Sequence, residues 1–185
     1  VIAPAPSAID QSSYQIRFEW GARALRVLAP AHVTVLVDAL PGGDGVLPGG
    51  DGPDLGGVEG RIVRAGLVDR SAVARWILER QHENGGRTSV NVIAVGDVDA
   101  SGATRFAMED QLAAGAVVDA LIGLGIDHVS PEAAVVCASY EGLRRACAHL
   151  LTASESGRQL VAGGRAEEVR AAARVDTVDE VSIVH

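Results

Sequence analysis

Two apolar, largely β-branched runs, Val33-Thr34-Val35-Leu36-Val37 and Val90-Asn91-Val92-Ile93-Ala94-Val95, are each followed closely by an aspartate, Asp38 and Asp97. A sheet covered by helices on both faces demands near-continuous apolar strands of this kind. The first run predicts a strand over 33–40, and the second a strand from about Thr88 to Asp97. Shorter apolar stretches add strands over 60–68 and 181–184. Apolar positions recur at helical spacing elsewhere. Leu25 and Leu28 share a face opposite Arg23 and Arg26 in a helix over 22–28 that Ala29-Pro30 ends. Val73, Trp76 and Ile77 line one side of a helix over 72–81, for which Asp69-Arg70-Ser71 is a cap and Asn84-Gly85-Gly86 a stop. Glu109-Asp110 opens a helix carried by Leu112, Ala116, Val117, Ala120, Leu121 and Leu124. Ser130-Pro131-Glu132 starts another that runs to about Ala153, and short helices follow around 158–161 and 165–173. Strands alternating with helices predict an α/β fold of three layers, a largely parallel or mixed sheet with helices on both faces.

One stretch breaks the alternation. Residues 41–57 contain Pro-Gly-Gly-Asp-Gly twice and little else that packs, which predicts a flexible Gly-rich loop. A phosphate cradle is the competing reading, but such cradles lead into a helix N-terminus and no helical pattern opens here. With 185 residues, the chain is expected to form a single domain over 1–185 around that loop.

Composition narrows the chemistry. The 16 basic residues are all arginine, so Schiff-base, Walker A and Ser-Lys mechanisms are excluded. A formal net charge of −8 with no basic stripe argues against nucleic acid or an anionic membrane as partner. Cys137 and Cys147, ten residues apart in one predicted helix, are separated by about 15 Å of helical rise, too far for a disulfide. Buried free thiols and no membrane-length apolar segment lead us to expect a cytoplasmic protein. The five histidines lack zinc-ligand spacing, and there is no Gly-x-Ser-x-Gly elbow and no G-x-G-x-x-G after a strand. Cys137 to Arg144 has one residue too many for a cysteine phosphatase loop and lies within a predicted helix.

What remains is acidic. In open α/β sheets, ligands bind beyond the carboxyl ends of the strands, so Asp38 and Asp97 are expected to face one crevice. Oxygen ligands suit a hard cation such as Mg²⁺, which takes one or two carboxylates and completes its shell with water and substrate phosphate. The plain alternatives are that each Asp starts a turn and that Glu109-Asp110 complements a helix dipole.

Several ordered motifs resemble one family. Gln11-Ser12-Ser13-Tyr14-Gln15-Ile16-Arg17-Phe18-Glu19-Trp20-Gly21 with Val35-Leu36-Val37-Asp38-Ala39-Leu40 is similar to the opening helix-strand unit of the 2-phosphosulfolactate phosphatase family. Ser71-Ala72-Val73-Ala74-Arg75-Trp76, the acidic pair Glu109-Asp110 with Ala114-Gly115-Ala116, and Ser156-Gly157-Arg158-Gln159-Leu160 through Gly164 to Glu167-Glu168-Val169 resemble later motifs of that family. The middle departs: the Gly-rich loop replaces a Ser/Thr-rich section, Asp69 stands where the family has asparagine, and Gly96-Asp97-Val98 where it often has Gly-Glu-Arg. The resemblance implies a Mg²⁺-dependent α/β phosphatase acting on a small anionic phosphate ester, of the kind linked to coenzyme M biosynthesis. It implies Asp38, Asp97, Glu109 and Asp110 as metal ligands or their supports, Asp38 as the catalytic residue and Arg17 as a substrate anion contact. A catalytically degenerate member acting as a binding or oligomerisation scaffold is the alternative, and a homo-oligomer is left open.

Overall fold

A computed structural model describes residues 8–40, 58–98 and 104–184. In chain order these form β1 (Ile16–Trp20), α1 (Ala24–Val27, led by a 3₁₀ turn at Gly21–Arg23), β2 (Val33–Val37), β3 (Arg61–Ala65), α2 (Arg70–Asn84) and β4 (Val90–Ala94). A small hairpin, β5 (Asp97–Val98) with β6 (Thr104–Arg105), precedes α3 (Met108–Gly123) and α4 (Pro131–Leu143). Then come α5 (Cys147–Ala153), α6 (Glu155–Ala162), α7 (Ala166–Ala172) and β7 (Ser182–Ile183). The Gly-rich loop lies outside the described residues.

The sheet order is β1-β4-β2-β3-β7, parallel through the first four strands and closed by antiparallel β7. Alternation along each strand divides two apolar clusters between its faces. Val33, Val35 and Val37 of β2 join Val90, Val92 and Ala94 of β4 and Ile16 and Phe18 of β1 in the larger core. There α2, α3, α4 and α5 supply Val73, Ile77, Leu112, Val117, Val136 and Leu151. On the opposite face Leu36, Ile62, Ile93 and Val95 meet Ala24 and Leu28. The fold is thus α/β with helices on both faces, unequally distributed. Among the described residues no helix is long and apolar enough to cross a membrane.

Close approach explains two glycines of the family-like motifs. A Cβ on Gly115 would lie 2.3 Å from the Val136 carbonyl oxygen, so the backbones of α3 and α4 can come this close only where the residue has no side chain. On Gly157 the same atom would lie 1.9 Å from the Leu151 oxygen, where α5 turns into α6.

Four expectations need correction. Ile16-Arg17-Phe18-Glu19-Trp20, which the family resemblance places within a helix-strand unit, forms a strand of its own with period-two alternation. The apolar run through Val95 does not carry β4 as far as Asp97. Gly96, at φ 69°, turns the chain, and Asp97 belongs to the hairpin opposite Arg105. The helix expected from 131 to 153 is broken by a 3₁₀ turn at Arg144–Ala146, so Cys137 and Cys147 occupy different helices. Both are free and buried nonetheless. Asp69 stands at the N-cap of α2 as expected, and its carbonyl accepts the Val73 N–H at 3.0 Å, but its side chain does not cap the helix; the carboxylate accepts the Gly66 N–H at 2.8 Å instead.

Candidate active site

Parallel pairing puts the carboxyl ends of four strands on one edge. Trp20, Ala94, Val37 and Ala65 stand side by side in register, the last residues of β1, β4, β2 and β3. Asp38 follows that row by one residue and Asp97 by three, so the two aspartates share a rim. The strand that follows β2 in the chain is β3, its neighbour on the side away from β4. From the end of β4 the chain departs through the hairpin and α3 toward α4, which packs on β1. Diverging exits of this kind open a crevice between the two strands, the usual ligand position in open α/β sheets.

The first turn of α3 closes the bottom of that crevice. Asp110, 3% exposed, accepts the Ala39 N–H at 2.8 Å with one oxygen and the Gly96 N–H at 2.8 Å with the other. A single carboxylate therefore ties the segment after β2 to the segment after β4. Glu109, also 3% exposed, is adjacent, and no hydrogen bond or ion pair within 4 Å is made by its carboxylate among the described residues.

Electrostatics tie the group together. Burial raises the Asp38 carboxyl from its ordinary 3.8 to about 6; the Leu40 N–H and the Arg64 charge oppose the shift, and the charges of Glu109 and Asp97 add to it. Burial likewise pushes Asp110 well up, against its hydrogen bond from Ala39, with Asp38 and Glu109 adding repulsion. Asp97, at the more exposed end, pairs with Arg105 at 3.0 Å. That guanidinium, whose pKa rises mainly through its hydrogen bond to Asp97, also lies 3.4 Å from Glu155 and 3.3 Å from the Ser156 hydroxyl. The hairpin is thereby tethered to the start of α6.

The four carboxylates thus gather at one rim, but loosely. No three of them bring ligand oxygens within 4.8 Å of one another, so a cation among them would draw much of its shell from water and substrate. The donor set fits Mg²⁺: oxygen only, more negative than its neighbouring arginines balance, and partly desolvated. A tighter group, Asp119, Cys137 and Glu141, fits a metal less well. Asp119 is engaged by Arg70 at 2.6 Å, and burial pushes the Cys137 thiol up to about 11, away from the thiolate a metal would need.

Arg17 lies elsewhere. It sits in the register row of Asn91, five residues before Gly96, which is about 16 Å along the strand. Its guanidinium, 5% exposed, donates to the carbonyls of Tyr14, Ala29 and Pro30 at 2.9–3.1 Å and to that of Ser12 at 3.4 Å. Those bonds brace the turn before β2 and leave the side chain far from the crevice, so a substrate contact by Arg17 is not what this geometry offers. The cations near the carboxylates are Arg64 and Arg105, which sequence reasoning passed over. Their only sequence signal is proximity: Arg105 stands four residues before Glu109, and Arg64 lies in the strand following the loop.

A largely parallel α/β sheet with an acidic crevice between two central strands places these carboxylates where open α/β proteins bind their ligands. Residues 57–185 match the family described as 2-phosphosulpholactate phosphatase, and the chain belongs to that family. The matched region includes Asp97, Glu109, Asp110 and Arg105, whereas β1, β2 and Asp38 precede it. No curated protein matches the chain.

Proposed function

We propose that the protein is a Mg²⁺-dependent phosphatase of a small anionic phosphate ester, with its reaction centre in the crevice between β2 and β4. The observation that carries this reading is the assembly of Asp38, Asp97, Glu109 and Asp110 at that crevice in a chain whose family is named for phosphatase chemistry. Asp38, Asp97 and Glu109 would hold the ion, with Asp110 beside them as ligand or support. When bound, Mg²⁺ supplies polarisation of the phosphoryl group.

The chain's own residues supply the rest. Asp38, one residue past the carboxyl end of β2 and at the mouth of the crevice, is placed to hold the attacking water and accept its proton. Water adds at phosphorus, the ester P–O bond breaks, and the departing alkoxide takes up a proton to leave an alcohol and inorganic phosphate. Arg105 and Arg64 flank the acidic group and offer charge to the anionic ester. An ester with a second anionic group, carboxylate or sulfonate, uses both.

The test is phosphate release from a panel of 2-phospho acids with and without Mg²⁺, for the wild type and Asp38→Ala. Metal-dependent release that the substitution abolishes supports the reading. Absence of release together with absence of any Mg²⁺-dependent melting shift refutes it and leaves a scaffold role.

A further inference from the structure

We propose that Asp110 is a positioning residue rather than a metal ligand: it holds the ends of β2 and β4 at the separation that lets the other carboxylates share an ion. This inference rests on the reading of the crevice as a cation site and assigns its four acids unequal roles. Asp110 already spends both oxygens on backbone donors, the Ala39 and Gly96 N–H groups, each at 2.8 Å. Those donors belong to residues directly beside Asp38 and Asp97 in the chain. Buried N–H groups left without an acceptor are costly, so a cation that pulled Asp110 away would have to repay both bonds. Asp38 and Glu109 carry no such obligation on two sides. Among the described residues, Asp38 accepts one backbone hydrogen bond, from Leu40, and Glu109 accepts none.

The geometry also explains why a carboxylate is needed at position 110. An amide has one acceptor and one donor group. In Asp110→Asn, the NH₂ would confront either the Ala39 or the Gly96 N–H, and one strand end would be released. Outer partners of ligand sets commonly cost 10–100-fold in metal affinity when removed.

Three measurements on the full chain separate this role from its rivals. Mg²⁺ titration followed by isothermal calorimetry below the melting temperature should give Asp110→Asn a Kd 10–100-fold weaker than wild type. An unchanged Kd would mean a purely structural role and overturn the proposal. In a Cd²⁺ against Mg²⁺ comparison, Asp38→Cys should shift preference toward Cd²⁺ and Asp110→Cys should not; a matching shift in Asp110→Cys makes it a ligand and overturns the proposal. Hydrogen exchange on the wild type needs no variant to fold. The Ala39 and Gly96 amides should be protected without metal and remain so at saturating Mg²⁺, and their deprotection by Mg²⁺ overturns the assignment. A wild type that ignores Mg²⁺ in all three overturns the cation-site reading itself, a result distinct from each of the others.

Discussion

Replacing Asp38 with asparagine should stabilise the metal-free protein while destroying its response to Mg²⁺. The folded chain raises this carboxyl from 3.8 to about 6, chiefly by desolvation. Such a shift means that the folded state holds a proton which the unfolded state gives up between those values, so stability from this group falls as pH rises through about 4 to 6. Two pH units correspond to at most about 3 kcal/mol of penalty on ionised Asp38 at neutral pH. Relaxation and solvent access reduce that to about 1–2 kcal/mol. Asparagine keeps an acceptor for the Leu40 N–H and carries no charge, so Asp38→Asn should melt about 2–6 °C higher than wild type at pH 7.5 in chelator. At pH 4 and below both side chains are neutral and the gap should close. Adding Mg²⁺ at 100 times its Kd should stabilise only the wild type, by about 2.7 kcal/mol. Thermal denaturation at the two pH values, with and without Mg²⁺, measures all of this. A variant that melts no higher than wild type at pH 7.5, or by the same margin at pH 4, would refute the claim that Asp38 is held ionised against its surroundings.

Other substitutions probe the frame around the crevice. Gly115→Ala drives a methyl into the Val136 carbonyl and should cost about 1–3 kcal/mol, seen as a lowered denaturation midpoint with an unchanged slope. Arg70 joins α2 to Asp119 of α3 at 2.6 Å, to Asp176 at 3.1 Å and to the Tyr140 ring, so Arg70→Ala should cost about 1–3 kcal/mol. A midpoint within experimental error of wild type would show the network to be dispensable. Cys137 and Cys147 are buried, with thiols that burial raises, Cys137 to about 11. They should react with a thiol reagent at pH 8 only after denaturant is added, and rapid labelling of the native chain would contradict their placement.

Much of the architecture was legible in the chain. The β-branched runs of β2 and β4 announced buried parallel strands, and Ser130-Pro131 marked the start of α4, where the Ser130 hydroxyl accepts the Ala133 N–H. Residues failed to speak for themselves where local pattern competed with longer-range contact. Gly96 looked like a strand residue because apolar neighbours precede it, yet its left-handed backbone redirects the chain into the hairpin. Asp69 does occupy the helix N-cap, but its carboxylate takes the Gly66 N–H just after β3 rather than an N–H of the helix. Arg17 looked like a free cation, yet four carbonyls surround it.

By itself the sequence determined which kinds of chemistry are open: no lysine, no zinc set and no nucleophile elbow, but aspartates at the ends of strands and an acidic pair opening a helix. Residue types and local periodicity are properties of short stretches, and they survive in any fold that honours them. Only the tertiary structure decided that those acids share one rim, because the order β1-β4-β2-β3 depends on pairings between strands far apart in the chain. It also distinguished acids of the same type. Asp110 has its charge directed at two backbone donors contributed by different strands, whereas Asp38 sits half-buried among like charges, and that difference arises from packing that no local pattern encodes.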